Sequence, residues 1–155
     1  MRLGRHAEAR KALTETLHRW PCELTTRTNL ANVHAQLGAR EDQIEVLEQG
    51  VEQCNAPPEL MNDLAYQLAT VRVAKLRDGP RALELAEKMI GSLGDNPLAL
   101  DTLAVAQAEV GRRDDARGTL ARALDLAKRQ HLPDEGLRVL QDHATKIAAG
   151  ESIRE

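Results

Sequence analysis

The residue types best able to do chemistry are thinly spread along this chain. Five histidines (His6, His18, His34, His131 and His143) are the first candidates for metal binding or acid–base work. None pairs with another at the i, i+4 or HExxH spacing that sets two ligands on one helix face. His18 and Cys22 are four apart, but Trp20-Pro21 marks a helix end between them. Cys22 and Cys54 are the only cysteines, too few for a disulfide framework and without CxxC or paired-His spacing, so both read as free thiols. A nucleophile would have to be Cys22, Cys54, Ser92 or Ser152, and none has a visible base or oxyanion donor. Gly91-Ser92-Leu93-Gly94-Asp95 has the glycines of a phosphate-cradling loop but no following Lys-Ser/Thr and no preceding strand, so it reads as a turn. Asp78-Gly79-Pro80 is turn and helix-start chemistry, with proline at the first helical position. The expectation is a chain without catalytic, metal-binding or cofactor-binding residues.

The elements that carry these residues are helices. Leu, Ala, Glu, Arg, Lys and Gln dominate, while Val, Ile and Thr never alternate as a half-buried strand requires. With 155 residues, 42% hydrophobic and 29% charged, the chain is long enough to bury the core of one domain. It has no Phe and only Trp20 and Tyr66 as large aromatics, so small aliphatic side chains must fill that core. A net charge of -3 supplies no clustered cation excess for nucleic acid. Locally the charge is uneven: Glu41 to Asp63 holds seven acids and no Lys or Arg, and Arg112 to Arg129 holds six bases against three acids. Solvated helix faces are the plainer reading of both stretches, and a docking patch the other. The charged start lacks the apolar segment of a signal peptide, and no run approaches the ~18 apolar residues of a membrane span. A cytoplasmic chain is therefore expected, provided Met1 is the true start.

Shifting the sequence against itself reveals a period of 34: Gly4 falls on Gly38, Leu13 on Leu47, Leu17 on Val51, Leu30 on Leu64 and Ala31 on Ala65. The next step is 39, from Leu64 to Leu103 and Ala65 to Ala104. Ala82 returns to 34 at Ala116, which places five extra residues in the Val71 to Gly79 stretch. These should either extend the preceding helix or form a protruding loop. Each unit reads as two amphipathic helices. The first carries Leu30-Ala31, Leu64-Ala65 or Leu103-Ala104, with Gly38 or Gly111 at the turn. The second carries Ala9-Leu13-Leu17, Gln43-Leu47-Val51, Ala82-Ala86-Ile90 or Ala116-Leu120-Leu124, where alanine lets helix axes approach closely and Gln43 should loosen one contact. Pro133-Asp134-Glu135, followed by Leu137, Leu140, Ala144, Ile147 and Ala148 on one face, signals a closing helix.

Leucine-alanine on the first helix, glycine at the turn, alanine-then-leucine on the second and a period of 34 together resemble the tetratricopeptide repeat. Pro21 at a unit end also matches, whereas Asn55, Gly94 and Lys128 stand at the equivalent places, and Leu, Ala or His34 replace the usual aromatics. The stretch Asn62 to Thr70, the long linker, Leu100 to Ala104 and the ending Ala149 to Glu155 look like a bacterial subgroup with an insertion in the penultimate repeat. The resemblance implies an all-α fold, a right-handed superhelical solenoid of helix hairpins with a C-terminal capping helix. It is expected as one domain over 1–155: a half repeat at 1–21, repeats at 22–55, 56–95 and 96–130, and the capping helix at 133–149.

For function the resemblance implies a non-catalytic protein–protein interaction scaffold that takes a peptide or partner protein in a concave groove lined by the first helices. Outward positions of those helices are Thr25, Thr28, Asn29, Asn32 and Gln36; Glu59, Asn62, Asp63 and Tyr66; and Asp101, Thr102, Val105 and Glu109. The set is acidic and without Lys or Arg, so a neutral or basic partner is favoured, with neither nucleic acid nor membrane. Tyr66, with Asn32 and Asn62, is either the centre of that site or part of the packing between repeats. Two alternatives stand beside the scaffold: an accessory or regulatory segment of a larger enzyme truncated before Met1, and a self-assembling structural module. The first unit opens at Gly4 with only a second helix, so the chain is expected to be a fragment of a longer array or to self-associate through its N-terminal helix.

Overall fold

In a computed structural model the described residues are 2–155, and among them every regular element is helical. Eight α-helices follow in order: α1 (Arg2–Arg19), α2 (Leu24–Gln36), α3 (Arg40–Gln53), α4 (Pro58–Thr70), α5 (Gly79–Leu93), α6 (Pro97–Glu109), α7 (Arg113–Arg129) and α8 (Asp134–Ala149). Met1 lies outside the described residues, and α1 starts at Arg2, so Gly4 stands within a helix and does not open a turn. Gly38 and Gly111 do sit at turns, with φ of +75° and +85°, backbone that a Cβ would strain. Helix starts use local side chains as the residue types suggest. Asp78 accepts from the Arg81 N–H ahead of Pro80, and Asn96 accepts from the Leu98 and Ala99 N–H groups around Pro97. Gly91 to Leu93 still belong to α5, so only Gly94 onward forms the turn expected there.

The chain gathers into two compact units, residues 1–64 and 65–155, with α4 contributing its first half to one and its second half to the other. In the first unit, α2 packs against both α1 and α3. Its core holds Leu30, Ala31, Leu47 and Val51 from the stripes read from the period, together with Ile44 and Leu60, which the period did not mark. Gln43 is buried too, and its amide oxygen accepts from Arg40 at 2.9 Å, which satisfies the one polar side chain in that stripe. The reading of two free thiols is corrected: Cys22 and Cys54 form a disulfide with Cα atoms 5.4 Å apart. The pair is 32 residues apart, close to one repeat period, and both cysteines lie in the first unit, one just after α1 and the other just after α3. Counting cysteines for a framework does not see that pairing.

In the second unit α6 is central, packing on α5, α7 and α8, and every residue from Ala99 to Gln107 is buried. Ala82, Ala86, Ala104, Ala106, Ala116, Ala123 and Ala127 are wholly buried, the small side chains that allow close axes. The five-residue insertion does not lengthen α4. It is a loop with one 3-10 turn at Ala74–Leu76, folded back so that the Asp78 N–H donates to the Leu68 carbonyl. Arg77 pins it by donating to the carbonyls of Val71 and Arg72.

Candidate functional site

The predicted groove residues fall into two groups with different surroundings. In the first unit Thr25, Asn29, Asn32, Gln36 and Glu59 are exposed, and Thr28, Asn62 and Asp63 are half-buried. The residues of α2 among them lie at three- and four-residue steps on one face, opposite the stripe Arg27, Leu30, Ala31 and His34 that packs inward. The side chains of Asn29, Asn32 and Gln36 make no hydrogen bond to other described residues, which leaves amide donors and acceptors open on one helix face. Burial raises the pKa of Asp63, partly offset by a hydrogen bond from Asn62 and reinforced by the charge of Glu59.

On the inward side of α2 lies a residue the sequence reading passed over. Arg27 is only 3% exposed, and no carboxylate pairs with it among the described residues. Its guanidinium donates to the Pro21 carbonyl at 2.6 Å, the Val46 carbonyl at 3.0 Å and the Gln53 amide oxygen at 3.3 Å. Pro21 closely follows the end of α1, so the cation sits at the negative end of that helix's dipole. Burial lowers its pKa. A cavity of about 440 Å³ opens beside it, lined by Leu17, Leu30, His34 and Val46 among others. The His34 Nδ1 is buried there without a hydrogen bond, with the Asp42 carboxylate 3.5 Å away. The available signal was a charged residue three positions before Leu30 on the apolar stripe.

In the second unit the predicted residues are already engaged. Asp101, Thr102 and Val105, expected to face outward, are buried, because α8 and the segment after it cover that face of α6. The His143 Nδ1 donates to the Asp101 carboxylate at 2.8 Å, both side chains lying inside the unit. The half-buried Tyr66 stands 6.1 Å from the His143 ring centroid to centroid, and its hydroxyl donates to Glu155 at 2.8 Å. Burial, and then the Glu155 carboxylate, push the Tyr66 phenol far above its ordinary pKa, so it acts as a hydrogen-bond donor and not as a nucleophile. Glu109 receives two arginines, Arg154 at 2.7 Å and Arg77 at 3.4 Å. Among the described residues no three His, Cys, Asp or Glu side chains come together to hold a metal. None of the described helices is long and apolar enough to cross a membrane.

These features define an all-α protein of sequential helix hairpins. That architecture is shared with solved structures of MamA. The AMB-1 protein aligns with TM-score 0.64 and 19% identity over 95% of this chain and 92% of its own. The MSR-1 protein aligns with TM-score 0.61 and 19% identity over 95% and 87%. A MamA mutant aligns with TM-score 0.60 and 19% identity over 97% and 87%. At this identity the likeness establishes the fold. No protein-family model matches the sequence, and no curated protein does.

Proposed function

We propose that this chain is a non-catalytic, tetratricopeptide-type interaction scaffold that holds a segment of a partner protein on an exposed first-helix face. The observation that carries the reading is the α2 face, where Asn29, Asn32 and Gln36 present unengaged amides in a row while the opposite face is committed to the core. Amides in a row suit an extended backbone, whose N–H and C=O groups recur regardless of side chain. Glu59 and Asp63, in the same unit, bias the surface toward a neutral or basic partner. The test is site-specific photocrosslinking in cells of origin. A crosslinker at Asn32 should capture a partner protein that one at the exposed Glu45, on α3, does not. Equal capture from both positions, or capture from Glu45 alone, sinks the proposal.

A second reading, self-association through α1, is favoured by Trp20, which is 60% exposed beside the half-buried Leu13 and Leu17. Light scattering on the chain with and without Leu13→Glu and Leu17→Glu decides it. A monomer in both cases removes the reading.

A further inference from the structure

The first-helix face of the second unit is not empty: residues 153–155 of the same chain lie on it. The contacts are of three kinds. Ile153 is buried to 5% exposure, close to Ala69, Val105 and Ala108. Arg154 donates to the Glu109 carboxylate at 2.7 Å and to the Ala69 carbonyl at 3.2 Å, and Glu155 accepts from the Tyr66 hydroxyl at 2.8 Å. The backbone of residue 155 brackets Val71, its N–H donating to the Thr70 carbonyl at 2.9 Å and its carbonyl accepting from the Arg72 N–H at 3.1 Å. That bond pair has the pattern of a single parallel-strand bridge, made here on the residues where α4 ends. The receiving residues include Tyr66, Val105 and Glu109, three positions that the sequence alone marks as groove-lining. The backbone partner is the start of the insertion, which ordinary repeats of this period lack.

We infer that this face is a site for an extended peptide carrying an aliphatic residue, then arginine, then an acidic residue, and that the chain's own Ile153-Arg154-Glu155 fills it until a partner segment of the same chemistry displaces it. The inference rests on the reading of first-helix faces as peptide surfaces. Each element of the ligand has its receptor: an apolar floor for the aliphatic side chain, Glu109 for the guanidinium, Tyr66 for the acid and the Thr70–Arg72 backbone for the main chain. The site is thus more selective than a groove that reads charge alone, and it accepts an acid where the sequence suggested only neutral or basic ligands. The segment follows Gly150, whose φ of +77° ends α8 and turns the chain back. A short tether of this kind gives an effective concentration on the order of millimolar, so a free peptide of ~10 μM affinity would bind the self-filled site about 100-fold more weakly than the vacated one.

The experiment uses the full chain and a fluorescently labelled peptide of residues 149–155, amidated at its end. Fluorescence polarisation should find it about 100-fold tighter on the chain carrying Ile153→Asp and Arg154→Glu than on the unaltered chain. Adding Glu109→Gln to that vacated chain, which keeps the shape of the site, should weaken the peptide by ~10-fold, and circular dichroism confirms that the helices of each variant persist. Equal affinity for the vacated and unaltered chains overturns the inference, as does no binding to the vacated chain or indifference to Glu109→Gln. Capture of a partner through Asn32 alongside any of those results would leave the scaffold reading standing and remove only this one.

Discussion

Replacing Gly50 by alanine sets two effects of opposite sign against each other. Gly50 lies inside α3, where a glycine costs ~0.5–1 kcal/mol relative to alanine through backbone entropy. On that ground alone the change would stabilise. The added Cβ, however, would stand 2.5 Å from Leu60 Cδ1 and 2.8 Å from Arg27 Cδ. Neither neighbour is a loose surface group, since Leu60 is fully buried and the Arg27 guanidinium is held by three hydrogen bonds. Relief requires a shift of roughly 1 Å in a packed core, and overpacking of this kind costs ~1–3 kcal/mol. The overpacking term exceeds the helix gain, and Gly50→Ala should destabilise by ~1–2 kcal/mol. Gly118 is the internal control: it lies inside α7, and a Cβ there meets nothing within 4 Å. Gly118→Ala should therefore stabilise by ~0.5–1 kcal/mol. Urea unfolding followed by circular dichroism measures both, with fluorescence of Trp20, the only tryptophan, reporting on the first unit. On a Leu60→Ala background the Gly50→Ala penalty should shrink by more than ~1 kcal/mol, because the nearest obstacle is gone. A Gly50→Ala chain that gains as much stability as Gly118→Ala would refute the close approach of α3 to Leu60.

Arg27→Met keeps the buried stem and removes the guanidinium, leaving the Pro21 carbonyl without its donor; a loss of ~2–3 kcal/mol in urea unfolding is expected. A loss below ~0.5 kcal/mol would mean that the desolvation lowering the Arg27 pKa cancels its hydrogen bonds. Asp63→Asn should stabilise the chain at neutral pH: burial raises the folded-state pKa, so the stability the protonated carboxyl confers is fully present below the ordinary value of 3.8 and is lost as pH rises through the raised one. Melting temperatures of the two chains should converge at the acid end of that window and separate above it; a constant offset would discount the titration. Cys22→Ser opens a loop that links residues 32 apart and should cost roughly 3–4 kcal/mol, read as a lower urea midpoint of the Trp20 signal in non-reducing buffer. An unchanged midpoint would show that the cross-link does not restrict the unfolded chain.

Much of the fold was legible in the sequence because a repeat states the same instruction several times. Leu30-Ala31, Leu64-Ala65 and Leu103-Ala104 recur at fixed steps, and all six side chains are buried. Gly38 and Gly111 mark turns for a local steric reason that needs no tertiary context. The closing helix was equally local, announced by Pro133 and two acids and found at Asp134–Ala149. What the sequence could not determine depends on which residues meet across long separations. Periodicity assigns Asp101, Thr102 and Val105 to an outward face, but whether that face meets water depends on where α8 and residues 151–155 lie. The same holds for the Cys22–Cys54 bond and for Arg27, whose acceptors come from Pro21, Val46 and Gln53. A helix stripe is decided within about two turns of chain, where neighbours three and four apart share a face. The burial of a charge, a cross-link between residues 32 apart and the covering of a helix face by a segment 89 residues away from Tyr66 are decided only once the helices of each unit have packed.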